Sequence, residues 1–90
     1  GVPNSRRETL TVSSTAVGPT ADTFGTGNRG AVVVQVLSNS IFFSLHSQSC
    51  TPSITDFVAY AGDWFAVQPA VSLRMIRNGD DSCVKLQGFE

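Results

Sequence analysis

Turn-forming breakers, among them Gly, Pro and Ser/Asn clusters, arrive along this chain every 8–12 residues or so, and between them apolar side chains alternate with polar ones or fall in short runs. No helical period persists anywhere along it. That spacing leaves little room for helices and points to a small all-β sandwich or barrel built from short antiparallel strands. Val, Ile, Thr and Phe dominate the runs, as a pleated, half-buried surface favours.

The first strand is expected over residues 8–13, with Leu10 and Val12 on one face and Thr9, Thr11 and Ser13 on the other. A weaker second strand is expected over 14–23, interrupted by Gly18-Pro19. A glycine-rich loop follows over 24–30. Residues 31–37 read as a central strand whose Val32, Val34 and Val36 face the core. After a Ser38-Asn39-Ser40 turn, residues 41–45 are expected to return as its hairpin partner, with Ile41, Phe43 and Leu45 alternating against Phe42 and Ser44. Residues 46–52 form a polar loop, 54–60 are short and partly extended, and Gly62-Asp63 marks a tight turn into a strand over 64–67. Residues 71–77 form another strand, with Leu73 and Met75 on one side. Asn78-Gly79 is a strong hairpin turn signal, and the last strand runs through Val84 and Leu86 to Phe89. The sum is about eight strands, the number of a jelly-roll-like double sheet. Residues 1–7, with Pro3 among them, read as an extended arm, and residues 8–90 as a single β-sandwich domain.

Composition narrows the function classes. Charged residues make up 14% of the chain, against about 25% in an ordinary soluble domain, which hints at association or docking on a larger body. The net charge of −1 carries no electrostatic footprint for nucleic acid. No apolar run approaches the roughly 20 residues of a membrane helix, and the two N-terminal arginines are followed by no apolar stretch of the signal-peptide kind. Cys50 and Cys83 have no metal-ligand spacing; free thiols or one bridge are both open.

Catalytic constellations are weak. His46 is the single histidine and lies in a Ser-rich loop, without a Gly-x-Ser-x-Gly elbow; a solvated loop histidine accounts for it. Asp80-Asp81 are adjacent, so in a strand they would point to opposite faces; they read as turn formers beside Asn78-Gly79. Calcium or zinc would find too few ligands. Gly25-x-Gly27-x-x-Gly30 spells a dinucleotide-binding spacing, but a Val-rich strand follows it instead of a helix. No catalytic residue, cofactor or metal is expected, and the chain is not read as an enzyme.

Phe57, Tyr60, Trp64 and Phe65 crowd into one short stretch. They could form a sugar platform or be divided between core and subunit contact. Trp64 and Phe65 must point oppositely if both lie in one strand, as must Phe42 and Phe43. Outward Val33, Phe42, Val58 and Phe65 would make apolar patches too large for a lone monomer, so contact with another protein is favoured. The candidate contact residues are Arg6, Arg7, Phe42, Val58, Tyr60 and Phe65.

The order of pieces resembles the small β-sandwich virion proteins of tailed bacteriophages. The pieces are Thr9-Leu10-Thr11-Val12-Ser13-Ser14-Thr15-Ala16-Val17, Thr20-Ala21-Asp22-Thr23-Phe24-Gly25, the Val-rich 31–36, Thr51-Pro52-Ser53, Ala61-Gly62-Asp63, Leu73-Arg74-Met75-Ile76-Arg77 and the final 84–89. The stretch His46-Ser47-Gln48-Ser49-Cys50 departs from the charged Asp-Gly turn usual there. The resemblance implies a capsid cement or decoration protein on the virion surface, made in the host cytoplasm. It would self-associate, as a trimer, and stabilise contacts between capsomers by docking on the major capsid protein. Arg6 and Arg7 of the arm would pair with capsid carboxylates. The competing expectation is a tail-fibre or baseplate module that binds a neighbouring tail protein or a host glycan.

Overall fold

Val32, Val34 and Val36 are fully buried while Val33 and Gln35 between them are not. That alternation is what a strand covering a core with one face requires. The computed structural model describes residues 2–20, 30–45, 51–68 and 72–90. Within them lie strands β1 (Pro3–Val12), β2 (Val32–Ser38), β3 (Ile41–Ser44), β4 (Phe57–Ala59), β5 (Trp64–Val67), β6 (Arg74–Arg77) and β7 (Ser82–Phe89). They form two antiparallel sheets, a four-stranded one in the order β1-β7-β2-β5 and a three-stranded one in the order β4-β3-β6. The expected all-β antiparallel sandwich is the architecture observed.

The core lies between the sheets. Val12, Val32, Val34, Val36, Val84 and Leu86 come from the larger sheet. Ile41, Ala59 and Met75 face them from the smaller one, with Leu73 just before β6. Burying each such aliphatic side chain contributes about 1.5–3 kcal/mol. Leu10, Val17, Phe43 and Phe65 pack around this cluster. Leu45, expected to share the inward face with Ile41 and Phe43, is 44% exposed, because β3 ends at Ser44.

Both expected hairpins are corrected. Strands β2 and β3 do not pair, nor do β6 and β7, because each short connection carries the chain from one sheet to the other. The turn from β4 to β5 does the same. Turn chemistry sets the local backbone path, but whether the flanking strands pair depends on where their apolar faces can be buried. Here those faces meet across the core instead of lying side by side. Each corner contains one left-handed residue: Asn39 (φ 56°), Gly62 (φ 92°) and Gly79 (φ 92°). The corners are also fastened together. The Gly62 amide donates to the Val36 carbonyl (2.8 Å) and the Asn78 amide to the Ser40 carbonyl (3.0 Å). The Asn39 side-chain amide donates to the Asp81 carbonyl (2.8 Å).

The second strand expected over 14–23 is reduced, in its described part, to a single bridge between Val17 and Met75. Ser13 also accepts from the Arg77 amide at 3.0 Å. The stretch thus lies along the free side of β6, where an eighth strand would run, and the described strands number seven. The domain boundary expected at residue 8 is corrected too. From Pro3 the expected arm is already β1, with Pro3 opposite Phe89 and Arg7 opposite Gln87. Backbone pairing to β7 outweighs the absence of apolar side chains at residues 3–7. The register is irregular between Pro3 and Arg7, and the Arg6 amide donates to Asn4 Oδ1 at 2.8 Å. The expectations for residues 21–29, for His46 and for Cys50 fall outside the described residues. Cys83 carries a free, half-buried thiol.

Candidate contact surfaces

On the smaller sheet, Ile41, Phe43, Ala59 and Met75 face the core, so the alternate positions face outward. Phe42 pairs with Val58 on one side and with Ile76 on the other. The three side chains therefore stand in one rung across the whole outer face, at the 4.5–5.5 Å Cβ spacing of direct cross-strand neighbours. Val58 is 40% exposed, Phe42 and Ile76 are half-buried, and Tyr60, 59% exposed, continues the patch just beyond β4. The expected contact residues Phe42, Val58 and Tyr60 thus come together. Ile76 is an addition; the inward pair Leu73 and Met75 was the signal that Ile76 must face out.

Phe65 is corrected from contact residue to interior. It pairs with Val34, whose side chain is fully buried, and therefore shares the core face. Its ring stacks on Phe43 with centroids 4.2 Å apart and 7° between planes, and Phe43 in turn stacks on Phe57 at 5.4 Å. This run of rings fills the side of the sandwich between the edge strands β4 and β5. Its outer member, Phe57, is 61% exposed. A hollow of about 370 Å³ is bounded by the other two rings, Phe43 and Phe65, with Val58 and Trp64 among others. Trp64, opposite Gln35, takes the outward place that Phe65 does not.

Arg7 stands on β1 opposite Gln87. Arg6 is half-buried in the irregular stretch before it. Neither arginine joins the apolar rung, which lies on the other sheet.

Several polar side chains are engaged in hydrogen bonds of their own. The Asp63 carboxylate accepts from the Tyr60 amide (2.9 Å) and the Asp56 carboxylate from the Ser53 amide (2.8 Å). Glu8 accepts from the amide and hydroxyl of Thr20. Asp81 pairs with Arg77 at 2.6 Å across a solvent-exposed corner, an arrangement of small energetic weight. Among the described residues, no group of three or more His, Cys, Asp and Glu side chains gathers where it could hold a metal ion. No family model matches the chain, and no curated protein or solved structure matches it either.

Proposed function

We propose that the protein is a structural component of a tailed-phage virion, a capsid cement that binds by non-covalent contact across the seams between capsomers. The observation that carries this reading is the apolar rung Val58–Phe42–Ile76 with Tyr60 beside it. The resemblance in sequence supplies the setting. An apolar patch backed by a rigid sheet suits a partner surface more than a small-molecule pocket. Covering apolar area contributes about 25 cal/mol for each Å² removed from water, and many copies on one particle multiply a modest contact into large resistance to internal pressure. The expected partners are the major capsid protein and further copies of this chain, assembled as a trimer.

A tail-fibre or baseplate module is the second reading, favoured by the exposure of Tyr60 and Trp64 in the isolated chain. Counting copies in purified particles separates the two. On the order of hundreds per virion supports cement, because seams repeat over the whole shell. A handful to a few tens assigns the protein to the tail.

A further inference from the structure

The outer face of the larger sheet differs in chemistry from the apolar rung on the other side of the sandwich. Register places Thr9, Lys85, Gln35 and Trp64 in one line across β1, β7, β2 and β5. The next line holds Arg7, Gln87, Val33 and Ala66. Between them lies a depression of about 270 Å³ whose lining includes Trp64, Gln35, Lys85, Gln87 and Val33, with Phe89 at one end. Trp64 is 68% exposed over it. The side chains of Arg7, Gln35 and Lys85 make no hydrogen bond or ion pair to other described residues. Gln87 is held, since its side-chain nitrogen donates to the carbonyls of Asn4 (2.8 Å) and Gly88 (2.9 Å). Neither line contains a carboxylate.

We infer that this depression is a binding site for a carboxylated saccharide, a chain containing uronic or similar acidic sugars. The exposed indole offers an apolar face to the C–H face of a sugar ring. Gln35 offers donors and an acceptor to hydroxyl groups, and Gln87, whose nitrogen is already engaged by backbone carbonyls, offers its Oε1 as an acceptor. Lys85 and Arg7 offer the charge complementary to a carboxylate. Neighbouring strands lie about 4.8 Å apart, so Trp64 and Lys85, two strands from one another, span more than a single ring and suit an oligosaccharide. A purely apolar partner would strand the ammonium and amides, and a neutral sugar would leave the two cations unused. A nucleic acid strand, with a phosphate at every nucleotide, is a poor match to two cations on a chain of net charge −1. The site uses the face opposite the proposed docking surface, and it stands whether or not the Phe42 rung meets a capsid.

The chain has one tryptophan, so its fluorescence reports on this site directly. Titration of the full chain with tetragalacturonic acid should change Trp64 emission saturably. Affinity should fall about tenfold for Lys85→Gln and again on moving from low to high ionic strength. Trp64→Ala, followed by amide chemical shifts because the fluorophore is lost, should abolish the shifts along β2 and β7, while Phe42→Gln leaves binding intact. Maltotetraose, the neutral control, should bind at least tenfold more weakly. Absence of any saturable response to the uronate overturns the proposal, as does retention of full affinity in Trp64→Ala. Equal or tighter binding of polyglutamate or of an oligothymidylate would also overturn it, in favour of a peptide or a nucleic acid strand. None of these outcomes bears on the count of copies per particle.

Discussion

Phe43 and Phe65 lie face to face across the sandwich, their ring centroids 4.2 Å apart and their planes 7° from parallel. One ring comes from the central strand of the smaller sheet and the other from an edge strand of the larger, so the contact ties the two layers together at their open side. Aromatic stacking adds about 0.5–1.5 kcal/mol to simple area burial.

The neighbouring aromatics Trp64 and Phe65 should therefore respond oppositely to truncation. Phe65→Ala is expected to lower the unfolding free energy by about 3 kcal/mol. Trp64→Ala should change it by less than about 1 kcal/mol, because the indole is mostly in water. Urea unfolding of the two variants checks this, and a larger loss for Trp64→Ala would reverse the assignment of faces.

Two glycines should be costly to replace for different reasons. At Gly62 an added Cβ meets nothing within 4 Å, but φ is +92°; Gly62→Ala should cost about 1–2 kcal/mol through backbone strain alone. At Gly18 an added Cβ would stand 2.4 Å from the Leu73 carbonyl oxygen. Gly18→Ala must push the chain away from the start of β6, and about 2–3 kcal/mol is expected. Equilibrium unfolding that placed Gly18→Ala below Gly62→Ala would contradict the close passage of this stretch.

The Ser44 hydroxyl is buried with no hydrogen-bond partner among the described residues. Removing an unsatisfied buried hydroxyl relieves a desolvation cost of about 1–3 kcal/mol, part of which is lost again as packing. Ser44→Ala should leave the protein as stable as before or raise its melting temperature by a few degrees. A clear drop would mean that the hydroxyl serves a bond.

The apolar rung can be disabled without unfolding the domain. Val58 sits on an edge strand, where lysine is a natural guard against unwanted pairing. Val58→Lys should keep the unfolding free energy within about 1 kcal/mol of the parent. On the cement reading, its copy number in purified particles should fall at least tenfold. Full incorporation of Val58→Lys would remove this rung from the docking surface.

Much of the fold follows from the chain's own periodicity. Alternation in β2 and β7, short runs between breakers, and the left-handed turn residues all act over a few neighbours, so the strand content, the inward Val32, Val34 and Val36, and the opposition of Trp64 to Phe65 could be read directly. The outward pair Phe42 and Val58 was legible for the same reason. What period two leaves open is which face becomes interior. That choice fell to Phe65 because β5 pairs with β2 in a register setting Phe65 beside Val34, a contact between residues far apart in the chain. The same limit explains the corners. Asn78-Gly79 determines a tight turn, but only the burial of Met75 against the opposite sheet makes that turn a passage between layers rather than a hairpin. Local sequence thus decided most of the strands and the turns, while pairing to β7 added residues 3–7 to β1. Tertiary structure decided sheet membership, because the free energy that assigns it comes from apolar faces meeting across the core.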